Sequence, residues 1–395
     1  MSKSSIDRDS SEPGLDQDVK LDLDLDLDLD LDLSNDKLMQ SSMGSWGISA
    51  VEGGSIPPMD TNVVTVSKGL PDGPDGPVHG KFSKEDVFEA ASKGDPGPLS
   101  GLQDYLKKRE LNLTSSKYIG KYGQETNGKT ALLKAVLNLK DGTNNTIQVL
   151  LDIAEKCGDL KKFVNASYND EDYNGQTALH VAIERRSIDQ VKLLVQKGAD
   201  VQAKASGVCF QLKSKQGFYF GELPLSLAAC TNQSEVVSFL MENQYMPANS
   251  RDCDSQGNTV LHALVVIADN TKENTDFIIR MYDEVLIRDT RLAQKENEKG
   301  EGKLEDIKNN KGLTPLKLAA KLGKIGLFRH MVQREFTDDE TRALSRKFTD
   351  WIYGPITSSL YDMTSIDISE PNSVLEIIVF GSAINVWREG VEVFS

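Results

Sequence analysis

Apolar residues in this chain recur mostly at spacings of three and four, the period of a helix packed on one face. Five stretches show it clearly, residues 146–155, 188–197, 234–243, 276–286 and 325–334, and each predicts an amphipathic helix. Order is expected to begin near Phe82. Ser83 precedes an apolar-periodic run and Asp86 follows three residues later, an approximate capping box. The two ends depart from the helical period. Leu and Asp alternate through residues 21–33. As a strand this would align a row of like charges, so residues 1–80 read as a disordered low-complexity tail, with Pro71-Asp-Gly-Pro-Asp-Gly-Pro77 as a linker. Residues 347–355 and 373–380 read as short β segments. They are too few for a stable sheet and need the helical region, another part of the chain or a second subunit.

A glycine-led pattern precedes each of the five helices: Gly128-Lys-Thr-Ala-Leu-Leu-Lys-Ala135, Gly175-Gln-Thr-Ala-Leu-His-Val-Ala182, Gly221-Glu-Leu-Pro-Leu-Ser-Leu-Ala228, Gly257-Asn-Thr-Val-Leu-His-Ala-Leu264 and Gly312-Leu-Thr-Pro-Leu-Lys-Leu-Ala319. This is the ankyrin signature, a turn leading into a helix opened by Thr-Pro-Leu-His or a variant. The fold expected is an all-α ankyrin-repeat solenoid of about six repeats, the segment after Ser83 being a degenerate first one. Such repeats stack and offer an extended concave surface. The glycines are 47, 46, 36 and 55 residues apart, against about 33 in a standard repeat, so long finger loops are expected over residues 203–220 and 288–310. The aromatics of Gly217-Phe-Tyr-Phe-Gly221 either contact a partner or pack on the neighbouring loop. The division expected is a tail (1–80), the ankyrin domain (81–345), a β-containing linker (346–380) and an atypical C-terminal tail (381–395).

The net charge of −15 over 395 residues gives no reason to expect nucleic acid as a partner. The four cysteines, Cys157, Cys209, Cys230 and Cys253, are scattered and expected to be reduced thiols. The four histidines lack metal-ligand spacing, and His180 and His262 occupy the signature position, where a structural hydrogen bond is expected. No signal peptide and no apolar run of about 18 residues is visible. Gly123-Gln-Glu-Thr-Asn-Gly128-Lys129-Thr130 matches the phosphate-loop pattern. The segment before it is mostly polar rather than a buried strand, and Gly128-Lys129-Thr130 is in register with the other repeat openings, so a hydrolytic loop is disfavoured. No catalytic signature is present, and no enzyme is expected.

Gly217-Phe-Tyr-Phe-Gly-Glu-Leu-Pro-Leu-Ser-Leu-Ala-Ala-Cys-Thr-Asn-Gln233 is more specific than a generic repeat. With Val164-Asn-Ala-Ser-Tyr168 and Ser345-Arg-Lys-Phe-Thr-Asp-Trp351, it resembles the cytosolic N-terminal region of vanilloid-type transient receptor potential (TRPV) channels, best the heat- and capsaicin-sensing branch, over roughly residues 82–380. The resemblance implies the regulatory ankyrin region of a non-selective, calcium-permeable cation channel that conducts only as a full-length homotetramer with other TRPV subunits, at the cytoplasmic face of the plasma membrane. The sequence contains no pore, so a soluble cytosolic isoform that binds or blocks full-length channels is the alternative, and a splice form, an incomplete gene model or a fragment would all read this way.

The resemblance also implies ATP as a regulatory ligand that is not hydrolysed. Lys129 and Lys134 would pair with the triphosphate, and Asn138, Tyr173, Gln176, Glu184 and Arg185 would line the rest. Repeat register groups the same residues: Lys129 and Gln176 each follow a signature glycine, Asn138 and Arg185 each lie ten residues beyond one, and Lys134 and Asn138 share a helix face. One position departs. An arginine of the family aligns with Glu85, with Lys84 adjacent, and a carboxylate there would repel phosphate. The same surface resembles one that binds calcium-loaded calmodulin, which would compete with ATP.

Overall fold

The computed structural model of the chain describes residues 82–115, 128–212, 217–295, 302–367 and 372–381. The tail expected over residues 1–80, Gly123 of the phosphate-loop pattern and all but the first residue of the C-terminal tail lie outside them.

Helices come in successive pairs. The first is α1 (Lys84–Lys93) and α2 (Leu102–Lys108), followed by α3 (Ala131–Leu137) with α4 (Thr146–Lys156) and a short α5 (Leu160–Val164). Then come α6 (Ala178–Glu184) with α7 (Ile188–Gln196), α8 (Pro224–Cys230) with α9 (Ser234–Glu242), α10 (Val260–Ile267) with α11 (Lys272–Lys295), and α12 (Pro315–Lys321) with α13 (Ile325–Gln333). The first helices of the pairs pack on one another in chain order, α1 on α3, α3 on α6, α6 on α8, α8 on α10 and α10 on α12. This is a stack of ankyrin repeats, the architecture expected. Its core is continuous from one pair to the next, with Leu132, Ile183, Ala228, Leu264 and Ala319 all fully buried.

Local chemistry explains the starts. The Ser83 and Asp86 capping box is formed. Thr130 Oγ1 accepts from the Leu133 N–H at 3.2 Å to open α3, and Pro224 and Pro315 occupy first helical positions, where a missing N–H costs nothing. The signature glycine has a steric reason as well as a conformational one. At Gly128 (φ 71°) a Cβ would stand 2.2 Å from the Ser167 carbonyl oxygen, and at Gly175 (φ 81°) one would stand 2.1 Å from that of Lys204. Each turn is therefore the seat for the next finger's backbone.

Buried polar side chains tie neighbouring repeats. The Thr177 N–H donates to His180 Nδ1 at 3.3 Å, so Nε2 carries the ring proton and donates to the Glu222 carbonyl at 3.1 Å. His262 repeats this with Thr259 and with the Leu313 carbonyl at 2.9 Å. Asn144 Nδ2 donates to the Ala91 carbonyl at 2.8 Å, and Gln233 Nε2 to that of Ile183 at 2.8 Å. The signature histidines thus hold the structural bonds expected of them.

Three local expectations resolve or change. Tyr219 and Phe220 are buried, and Tyr219 donates to Asp254 Oδ2 at 2.6 Å while accepting from Asn258 Nδ2 at 2.8 Å, so this aromatic run packs on the neighbouring loop. The helix expected over 276–286 extends to Lys272–Lys295 and takes in the start of the expected loop at 288. No glycine or proline interrupts it, and Arg288 pairs with Glu284 one turn back. The segment 373–380 is not a strand. It forms α14 (Val374–Glu376) and a π turn (Ile377–Gly381). Ser373 Oγ accepts from the Glu376 N–H at 3.2 Å, a helix cap that outweighs the β-branched composition. The other β segment does form. β1 (Lys347–Tyr353) pairs antiparallel with β2 (Ile356–Tyr361), with a bulge between Thr349 and Trp351.

Candidate ligand-binding site

Residues 168–176 form a finger closed by its own backbone. The Tyr168 N–H donates to the Gln176 carbonyl at 3.0 Å, and the Gly175 N–H returns to the Tyr168 carbonyl at 2.9 Å. The closure sets Tyr168, Tyr173 and Gln176 beside the C-terminal end of α6, where Glu184 and Arg185 lie. Tyr168 and Tyr173 have ring centroids 6.1 Å apart, and Tyr173 meets Phe210 edge-on at 6.0 Å. From the preceding repeat, the Lys129 ammonium lies 5.8 Å from the centre of the Tyr168 ring, a cation–π contact.

Unused hydrogen-bonding capacity is the notable property of this cluster. Gln176 is buried and donates from Nε2 to Glu184 Oε2 at 3.2 Å. Gln176 Oε1, Glu184 Oε1, and both Nε and Nη2 of Arg185 are inaccessible and have no partner within the described structure. Each such atom costs about 1–3 kcal/mol if left unmade. Burial pushes the Glu184 carboxyl up to about 7, and Arg185 and Gln176 only partly oppose it. Burial likewise raises the Tyr173 phenol to about 12, so its hydroxyl keeps its proton at neutral pH.

Of the residues expected from sequence, the contacts gather Lys129, Tyr173, Gln176, Glu184 and Arg185 around Tyr168. Lys134 and Asn138 sit one repeat earlier, half-buried on α3 and at its end. Asn138 caps α3 as Arg185 caps α6, which is the register relation read from sequence, and its Nδ2 donates to the Lys134 carbonyl at 2.7 Å. Glu85 is exposed on α1. Lys84 lies with its ammonium 5.2 Å from the centre of the Phe88 ring, and burial lowers its pKa. Tyr168 was absent from the expected set. Its place between the two lysine- and arginine-bearing repeats depends on how the finger closes, although Tyr168 ends the motif Val164–Tyr168, one of those that carry the family resemblance.

Among the described residues no cluster of His, Cys, Asp and Glu is arranged to hold a metal ion, and no helix is long and apolar enough to cross a membrane. The four cysteines are free thiols.

The stacked helix pairs make this an ankyrin-repeat protein, and the family model "Ankyrin repeats (3 copies)" matches residues 90–205. The chain is 52% identical over 315 residues to transient receptor potential cation channel subfamily V member 4 of Rattus norvegicus, which covers 79% of this chain and 35% of that protein. It is 52% identical over 303 residues to subfamily V member 1 of Cavia porcellus (76% and 35%), and 52% over 304 residues to member 2 of Homo sapiens (77% and 38%). The chain carries a TRPV ankyrin-repeat region. It spans about a third of the length of these curated relatives, and its likeness to the three members is equal.

Proposed function

We propose that this chain is the cytoplasmic regulatory region of a calcium-permeable TRPV cation channel. Its ligand would be ATP, held but not hydrolysed by Lys129, Lys134, Asn138, Tyr173, Gln176, Glu184 and Arg185, with Tyr168 as their platform. The observation that carries this reading is the convergence of unpartnered buried donors on Arg185 with unpartnered acceptors on Gln176 and Glu184, beside two tyrosine rings and a lysine. A guanidinium with two free donor nitrogens suits a phosphate or ribose oxygen, and aromatic faces suit a base. Calcium-loaded calmodulin is a second ligand for the same face and would compete with ATP. Bound ligand would alter gating only through its differential affinity for the gating states.

The hairpin supports association with other subunits. Trp351, Ile352, Tyr353, Ile356 and Leu360 are all exposed, apolar side chains of the kind that mark interaction sites, and among the described residues no third strand pairs with either edge of the sheet.

The test is ATP binding to the full chain by calorimetry. Lys129→Ala, Lys134→Ala and Arg185→Ala are each expected to weaken binding by tenfold or more, about 1.4 kcal/mol. Unchanged affinity in all three would overturn the site.

A further inference from the structure

We propose that Glu184 takes up a proton when this face binds a nucleotide polyphosphate, so that occupancy is coupled to pH. The inference rests on the nucleotide reading of the site and deepens it.

Glu184 is more than nine-tenths buried. One carboxyl oxygen accepts a bond from Gln176 at 3.2 Å, and the other has no partner. Arg185 is the next residue, yet its Nε and Nη2 are also without partners. The arginine therefore acts on the carboxylate through its field and not through a hydrogen bond. The finger places Tyr168, Tyr173 and Asp170 near this point, with Lys129 over the Tyr168 ring. On α3 the charged residue is Lys134. On α7 they are Asp189 and Lys192, and Lys192 is engaged with Glu235 at 3.0 Å. The neighbouring α8 carries no charged residue. His180 on α6 itself is held neutral by burial, against the opposing pull of its bond to the Glu222 carbonyl. Arg185 is thus the cation that keeps Glu184 ionisable.

A nucleotide whose polyphosphate pairs with Lys129 and Lys134, and whose phosphate or ribose oxygen engages Arg185, offsets that cation and adds negative charge to the face that holds the buried carboxylate. Both changes disfavour the ionised form. The protonated acid gains an O–H donor, which lets the unpartnered oxygen serve the ligand's acceptors. One proton moves from solvent to the carboxyl group and no other bond changes. Because burial already holds the free group's pKa at about 7, the exchange falls in the physiological range. Linkage makes the effect reciprocal: a ligand that raises proton affinity is bound more tightly as pH falls.

The experiment is magnesium–ATP binding to the full chain by calorimetry from about pH 6 to about pH 9, in two buffers of different ionisation heat, for the parent and Glu184→Gln. The parent is expected to lose up to about tenfold in affinity per pH unit above neutrality and to show net proton uptake. Glu184→Gln is expected to bind with a flatter profile and without the buffer-dependent heat. The ligand's own titration is common to both proteins and cancels in the difference. Parallel profiles would overturn the proton coupling while leaving the nucleotide site intact. No ATP binding to the folded parent at any pH would overturn the nucleotide reading itself, and this inference with it.

Discussion

Two glutamate–arginine pairs in this solenoid have opposite characters. In the last repeats, Arg334 grips Glu305 with two bonds, at 2.9 and 2.6 Å, and donates to the Leu344 carbonyl at 3.0 and 2.7 Å. Tyr282 donates to the same Glu305 at 2.8 Å. In the third repeat, Glu184 and Arg185 are sequence neighbours, yet neither satisfies the other. Burial pushes both carboxyl groups toward the neutral form. At Glu305 the guanidinium more than offsets burial and the pKa falls below the ordinary value. At Glu184 burial wins. Burial and charge alone therefore do not distinguish the clamp at Glu305 from the proposed ligand site at Glu184. The convergence of open hydrogen-bonding atoms on Gln176, Glu184 and Arg185 is what sets the latter apart.

The comparison is tested most severely by removing each arginine. Arg334→Met leaves Glu305 buried without its counter-charge, and a loss of about 3–5 kcal/mol in unfolding free energy is expected. Arg185→Met removes two unsatisfied donors and is expected to change stability by no more than about 1 kcal/mol, while abolishing ATP binding. Denaturant unfolding of the two variants decides this. Equal losses would mean that Arg185 is as structural as Arg334.

The pH dependence of stability sharpens the contrast. Folded Glu184 keeps its proton up to about pH 7, against an ordinary value of 4.5. Between these limits the folded state binds more protons than the unfolded one, so this group's contribution falls as pH rises and is fully lost above about 7. Glu184→Gln should be the more stable protein above neutrality, by on the order of 3 kcal/mol, with the difference vanishing in mild acid. Glu305 has the opposite sign. Its depressed pKa stabilises the fold above the ordinary carboxylate range, and that contribution is lost as pH falls through the folded value. Glu305→Gln should therefore be less stable at neutral pH. His180, held neutral by burial with a pKa near 4 against 6.5, loses its contribution as pH falls from 6.5 toward 4. That partly cancels Glu184 in the parent protein, so variant-minus-parent curves are the readout.

The repeat stack was legible because its causes are local. Gly128, Thr130 and the helical spacing after Thr146 each name a turn, a cap and a buried face. The grouping of Asn138 with Arg185 was also legible, since stacking turns equal distance from a signature glycine into proximity. Three features needed the folded chain. Tyr168 joins the site through a finger closure that no spacing rule gives. The run of β-branched and apolar residues after Ser373 has strand composition, but packing of α14 and its π turn against α12 and the Ser373 cap make it helical. The open valences of Gln176, Glu184 and Arg185 are a property of geometry alone.

The smallest expected effect tests the converse, that an open hydrogen bond is not by itself a site. At the signature histidine position the repeats carry Leu133, His180, Ser226, His262 and Lys317. His180 and His262 each reach a carbonyl of the next repeat. The Ser226 side chain is buried, and its hydroxyl has no partner among the described residues. Its helix α8 is apolar apart from this one hydroxyl, so no other open group converges on it. Ser226→Ala removes the unmet hydroxyl while keeping Cβ in place. It should leave stability unchanged or raise it by up to about 1 kcal/mol, with ATP affinity unaltered. A loss of stability would show that the hydroxyl holds a bond to buried water, and the distinction between open and satisfied polar groups would then have to be redrawn with water included, at Arg185 as well as here.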